Sequence, residues 1–508
     1  MRRATTFAIG LLLYAVAIPV HAATITVTNM NDSGTGSLRQ AIIAASPGDT
    51  INFVPSVTTV TLTSGELVID KNLTITGPGA NRLTVTTRFS DFVTFRIFNI
   101  SSSTATVSIS GITISNGFLG GEAGGGILSA GVLTLTDCTI SDNLSGGYPG
   151  GGGVLNDNGT MTITGCTISN NAEYMGKGGG GVLNENGIMT ITRCTISNNS
   201  TDIGFTNLVS SEGGGILNDS GGSLIITNST ISGNTCSATT SILPFAPAFA
   251  FGGGVNNQGS MNITNCTISG NSAVGLTSED TGEGGGISNG GNLQINISTI
   301  AHNSATGGPG SRGGGISGST RINSSIIALN SALTGPDFTV GELDSSGYNI
   351  IGNNADAVIN SQPTDQIGTP ASPIDPLLGP LANNGGPTLT HALQPGSPAI
   401  NRGDPAAPPH DQRGYSRAGV PDVGAFEFDG RPPRYDFNGD GYPDYVLNNA
   451  STRQTAVWYL SNNTYIGGGY APSLSAGWTI IKWPTSTEIL TQIMRCSTPP
   501  RVKPRSGT

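Results

Sequence analysis

Charge is scarce in this sequence: 11% of its 508 residues are charged, and the balance is acidic, 32 Asp and Glu against 22 Lys and Arg. So little positive charge argues against a nucleic acid or an anionic membrane surface as partner. Aromatic residues make up only 6% of the chain, and the four His residues fall in no triad or metal-ligand spacing. Beyond the N-terminal segment no apolar run is long enough to cross a bilayer. What the chain has in excess is glycine, 76 residues. Disorder is nevertheless excluded, because aliphatic residues return at regular intervals.

The first residues, MRRATTFAIGLLLYAVAIPVHA, place Arg2 and Arg3 before an apolar run from Phe7, with Val20 and Ala22 at the small-residue positions of a cleavage site. Residues 1–22 read as a secretory signal, which predicts a secreted protein, extracellular or on the outer cell surface. Six cysteines in an exported chain would suggest three disulfides. Their placement argues for free thiols instead. Cys138, Cys166, Cys194 and Cys266 hold one position of a repeat, and in stacked parallel strands their Cβ vectors point the same way, which strains a bond. Buried thiols packed as small apolar residues are expected.

The repeat is explicit. GGGVLNDNGTMTITGCTISNN, from Gly151, returns 28 residues later as GGGVLNENGIMTITRCTISNN, from Gly179. The phrase TIS recurs at Thr113, Thr139, Thr167, Thr195, Thr230, Thr267 and Thr299, with a weaker copy at Ile326. This period, rich in Gly and Asn and in β-branched residues, suits a coil of parallel strands and not a helical repeat. Within a copy Met161 and Ile163 alternate with Thr162 and Thr164, Gly165 breaks the alternation, and Cys166 and Ile168 resume it around a corner. Two apolar columns follow, Leu135, Ile163, Ile191, Ile226, Ile263, Ile295 and Ile322, and Ile140, Ile168, Ile196, Ile231, Ile268, Ile300 and Ile327. Each buried member contributes roughly 1.5 to 3 kcal/mol, but only a stack of coils can bury them. Asn143, Asn171, Asn199, Asn234, Asn271, Asn303 and Asn330 close the copies; a left-handed turn and amide hydrogen bonds between coils are predicted there. Glycine triplets ending at Gly126, Gly153, Gly181, Gly215, Gly254, Gly286 and Gly315 supply the next bend.

On these residues the chain resembles a right-handed parallel β-helix of the bacterial surface and secreted kind, which also includes pectin-degrading enzymes. The fold class expected is all-β: a single-stranded right-handed parallel β-helix over residues 23–355, about 12 coils and roughly 55 to 60 Å long. Before it, NDSGTGSLRQAIIAA pairs Ser37 with Gln40 as a capping box and gives Leu38, Ala41, Ile42 and Ala45 one apolar helical face. That segment is similar to the CSLREA-type region preceding many such coils, with Gly36 where the family has cysteine, and predicts a short helical cap.

Function is less legible. From the closing Asn to the next triplet glycine the copies vary from 10 to 20 residues, while the remainder keeps 17 to 19, so insertions build one lateral surface. Its unusual member is SILPFAPAFAF, which places Phe245, Phe249 and Phe251 in an aromatic-poor chain as candidate binding residues for a sugar or a partner protein. An enzyme of this architecture would need clustered carboxylates, or bound calcium beside a basic residue, on one sheet. Residues 101–340 hold 13 acidic and four basic residues, mostly at turns. Asp137 and Arg193 share a column two coils apart, about 10 Å, and read as a solvated charge pair. No catalytic residue is assigned.

After the coil, NNGGPTLTHALQPGSPAINRGD, DQRGYSR and PDVGAFEF are similar to the choice-of-anchor Q region of bacterial secreted β-helix proteins. That resemblance implies a cap and junction over residues 356–428; His391, Asp404, His410 and Asp411 are read as turn and capping residues and not as metal ligands. In DFNGDGYPD, Asp436, Asn438, Asp440 and Asp444 bring oxygens to one point, Gly441 permits the turn and Tyr442 offers a carbonyl, a ligand set for Ca²⁺. Leu447 stands where an EF-hand has Glu, and residues 429–481 resemble a single VCBS or FG-GAP-like repeat, a small β module. The irregular tail 482–508 can, with suitable codons, spell VADFNRD and HPDYALFNP after a one-base shift, so a frameshift is expected there. The reading is a noncatalytic, monomeric exported scaffold, adhesin-like, for an extracellular glycan or surface protein. A polysaccharide lyase or glycoside hydrolase of the pectin-degrading kind is the alternative.

Overall fold

The protein is described by a computed structural model over residues 22–87, 95–202, 210–239, 247–417 and 419–432, and over strands at 445–448, 455–461 and 464–471. Most of the expected signal segment and all of the tail 482–508 lie outside the described residues.

One coil shows the rest. Thr160–Thr164 runs in the first sheet, turns at Gly165 and Cys166 into Thr167–Ser169 of the second, and bends at Asn170 and Asn171 into Ala172–Tyr174 of the third. The chain then crosses a corner and the glycines 179–181 before Val182–Glu185 of the fourth sheet, and Ile188–Thr192 returns to the first in register with Thr160–Thr164. Among the described residues four parallel sheets of 13, 12, 8 and 10 strands result, in that order along the coil. At about 4.8 Å per rung, 13 rungs make a rod about 58 Å long. The ladder continues to Val358–Asn360 and Gln366–Ile367, beyond residue 355, where the sequence repeat fades.

Both expected isoleucine columns face inward. Ile163 pairs with Ile191 and Ile168 with Ile196, and all four are fully buried in one continuous core. α1, Leu38–Ala44, closes the N-terminal end: Ser37 accepts a hydrogen bond from the Gln40 amide, and Leu38, Ala41 and Ile42 are buried. Lys71 donates to the carbonyls of Ile42 and Ala45 at the end of the helix, where a cation is favoured.

The asparagine column requires a correction. Its side chains do form a ladder: each Nδ2 donates to the next Oδ1, from Asn143 through Asn171, Asn199, Asn234, Asn271 and Asn303 to Asn330, at 2.9–3.0 Å. The left-handed conformation, however, belongs to the preceding residue, including Asp142, Asn170, Asn198, His302 and Leu329, at φ 55 to 61°. The ladder asparagines must keep their amides inside the coil, so the bend falls one residue earlier. The last donor meets Asp337, whose Oδ1 accepts both the Asn330 backbone N–H and its Nδ2. A second ladder, Asn156, Asn184, Asn218, Asn257 and Asn289, runs along the fourth sheet with Nδ2–Oδ1 distances of 2.7–2.8 Å.

The five thiols among the described residues are free and buried as expected, and they do more than fill space. Cys138 N–H donates to the Cys166 sulfur and Cys166 N–H to the Cys194 sulfur, both at 3.4 Å, while Cys194 N–H donates to Ser229 Oγ at 3.0 Å. Sulfur and hydroxyl are interchangeable acceptors here, which explains why Ser229, Ser298 and Ser325 continue the same column.

Residues 374–428 do not lie across the end of the rod. They fold back as a strap along the outer face of the second sheet. Gln412, 1% exposed, donates to Ser229 O, Thr230 Oγ1, Thr388 Oγ1 and Leu389 O, and accepts from Thr267 Oγ1. His391 Nε2 lies 2.8 Å from Ser269 Oγ, and Ala425 N–H donates to Thr299 Oγ1. Leu393, Ala399, Val423 and Phe426 cover Ile326, Ala328 and Ile350. The DQRGYSR phrase is the knot of this strap. Arg413 donates twice to Asp411 Oδ2 and lies 4.2 Å over Tyr415 and 3.6 Å over Phe426, and Arg417 meets Glu427 at 3.2 Å. The strap's partners are Thr and Ser hydroxyls that elsewhere in the sheet face solvent at Thr139, Thr167 and Thr195. The C-terminal strands form an antiparallel three-stranded sheet.

Candidate functional site

Insertions after the third sheet create a corner with its own three-stranded parallel sheet, Ser210–Glu212, Phe249–Phe251 and Thr281–Glu283. Strand alternation sends Ser211, Ala250 and Gly282 inward. Ala250 joins Cys236, Ala238, Ala248 and Ala273 in a small core of short side chains. Phe249 and Phe251 point the other way, half-buried and stacked, with ring centroids 5.8 Å apart and planes 7° from parallel. Two of the three expected binding residues therefore meet on a strand and not in a free loop. Phe245 lies outside the described residues, as do all five expected calcium ligands, Asp436, Asn438, Asp440, Tyr442 and Asp444.

Phe251 is in register between Glu212 and Glu283. This row faces a second one at the end of the fourth sheet, where Asp157 pairs with Glu185 and Asp219 and Gln258 occupy the next two rungs. The rows are joined. Lys177 Nζ meets Asp219 at 2.5 Å and Gln258 Oε1 at 3.5 Å, and Gln258 Nε2 donates to Glu212 Oε2 at 2.6 Å. One coil set further, Arg312 meets Glu283 at 2.8 Å and Ser317 donates to the other Glu283 oxygen at 2.7 Å. Leu155, Leu183 and Leu217, outward on the fourth sheet yet buried, form an apolar cluster beside these rows.

The electrostatics follow from crowding. Burial pushes the Glu185 carboxyl up, and the charges of Asp157 and Asp219 push it further, against Lys177. Burial likewise raises Glu212, with Lys177 opposing. Behind this surface Glu173 is 1% exposed; one oxygen accepts from the Gly176 N–H and the other has no partner among the described residues. Burial drives its pKa up to about 8, with the Asp202 charge adding to the rise.

Two sequence readings change. The Asp137–Arg193 pair is solvated at one end only: Asp137 is exposed whereas Arg193 is 9% exposed, and partial burial raises the Asp137 carboxyl while Arg193 lowers it. Gly165 explains the approach, because the Asp137 carboxylate occupies the space a side chain there would need. The Lys177 cluster was missed. Its signal was present in VLND, VLNE and ILND, which place an acid at one repeat position, and in the lone lysine of the length-variable segment. His391, Asp404, His410 and Asp411 stay apart in strap contacts, and among the described residues no three His, Cys, Asp or Glu side chains converge as a metal site.

Residues 77–240 match the family described as right handed beta helix region, which gives the coil its hand. The chain is similar to the solved structure of pectate lyase Pel9A, at 16% identity and a TM-score of 0.45, covering 80% of this chain and 96% of that one. Nothing among the curated proteins matches it. The stacked parallel sheets and the family match define the class as an all-β, right-handed parallel β-helix solenoid.

Proposed function

We propose that the protein is an exported β-helix scaffold that binds an extracellular glycan along its insertion corner, without a catalytic centre of its own. The observation that carries this reading is the stacked Phe249–Phe251 pair, half-exposed beside the hydrogen-bonded row Glu212, Gln258, Lys177 and Asp219. Flat apolar rings flanked by fixed donors and acceptors suit a sugar, which offers C–H faces and hydroxyl edges to the same surface. A C-terminal module stabilised by Ca²⁺ at Asp436, Asn438, Asp440, Tyr442 and Asp444, and placement at a bacterial cell surface, complete the reading.

Lys177 beside carboxylates supports the second reading, a polysaccharide lyase or glycoside hydrolase, because such chemistry needs a base and charge-stabilising groups on one face. A glycan array run together with a reducing-sugar release assay separates the two. Binding without release is expected, lost in the Phe249→Ala/Phe251→Ala double variant. Sugar release that disappears in Lys177→Ala would establish the enzyme instead, and array binding unchanged in the phenylalanine variant would refute the proposed site.

A further inference from the structure

The charges around the phenylalanine pair are unequal, and this bears on which glycan the corner takes. Lys177 is bound to Asp219 at 2.5 Å, yet Glu185 and Glu212 also lie within its field. Arg312 is committed to Glu283. Two cations thus serve Asp219, Glu185, Glu212 and Glu283, with Asp157 in direct register beside Glu185 one rung away. Like charges directly opposite each other on neighbouring strands destabilise a sheet. A polyuronate would add carboxylates to this surface. A metal ion is not favoured either, since no three of these groups converge.

We infer that the corner recognises a glycan carrying protonated amino sugars, its ammonium groups set between Asp157 and Glu185 and its ring faces against Phe249 and Phe251. This deepens the proposed glycan-binding function and rests on it. The ammonium supplies the missing positive charge and three donors, and its transfer to a half-buried carboxylate pair gives a charge-assisted hydrogen bond. Affinity should therefore weaken with salt, as it does for charges near a surface.

The test uses the full chain with three probes at mildly acidic pH: chitosan oligosaccharides, their fully N-acetylated counterparts, and oligogalacturonate. The amino form is expected to bind at least tenfold tighter than the acetylated form, about 1.4 kcal/mol, with oligogalacturonate weakest. Asp157→Asn/Glu185→Gln, two conservative changes on the surface, should erase that preference while leaving the acetylated form's affinity unaltered. Equal affinity for amino and acetylated forms, or a preference for oligogalacturonate, overturns the inference and leaves glycan binding standing. Absence of binding to all three probes and to the array overturns both.

Discussion

Replacing Asn199 by Ala tests the inner ladder at its middle. Asn199 is fully buried; its Oδ1 accepts the Asn171 backbone N–H at 3.0 Å and the Asn171 Nδ2 at 3.0 Å, and its Nδ2 donates to Ile168 O and Asn234 Oδ1. Truncation orphans two Asn171 N–H groups, the backbone one and one of the two on Nδ2, the other staying on Ile140 O. At about 1 to 3 kcal/mol for each orphaned buried group, the loss is about 2 to 6 kcal/mol. Asn262→Ala, on the solvent face of the first sheet, is the matched control and should cost no more than about 0.5 kcal/mol. Urea unfolding followed by far-ultraviolet circular dichroism reads the difference. With a slope of about 3 kcal/mol per molar, the Asn199 variant's midpoint should fall by about 1 M relative to the control. Coincident midpoints would mean that the amide ladder contributes nothing beyond its space, and the reasoning would fail.

Three further outcomes are expected. Gln412→Leu removes the bridge from strap to coil, so limited proteolysis within 374–428 should accelerate at least about tenfold while the coil's β signal persists; an unchanged cleavage rate would show that the strap is held elsewhere. Glu173 has a folded pKa raised from 4.5 to about 8, so its stabilising contribution is full below 4.5 and lost as pH rises through 8. Stability should decline across that window at up to about 1.4 kcal/mol per pH unit, and Glu173→Gln should flatten the decline; a slope that survives in the variant assigns it to another group. Calcium titrated calorimetrically into the full chain should release heat that Asp440→Ala abolishes, whereas equal heats would place the cation elsewhere.

The parts of the fold legible in sequence were those set by period. Ile163 and Ile168 declared their faces because alternation and corner glycine leave one direction inward, and Ser37 with Leu38, Ala41 and Ile42 declared a cap helix. The position of the left-handed residue was not legible, because Asn170 and Asn171 are identical in type and only packing decides which amide turns in. The strap was hidden for another reason: Gln412 reaches Thr230 and Thr267 across more than 140 residues, and no local pattern encodes such a distance. At the corner Phe249 and Phe251 stood out by their rarity. Lys177 joins Asp219 only because intervening insertions stack, which a linear reading of spacings does not reveal.

In the column that starts at Asn143 the side-chain relay from amide to amide runs one way: each Oδ1 receives from the coil before and one Nδ2 hydrogen is given to the coil after, while the other returns to an isoleucine carbonyl of the preceding coil. Burial pushes the Asp337 pKa up to about 6; above that pH the carboxylate receives but has nothing to hand on, so it acts as a full stop written into the relay. The amide relay therefore ends at Asp337 although the first and second sheets run on to Asn360 and Ile367: extending the relay by inserting a consensus copy after Asp337 would first require an amide in its place.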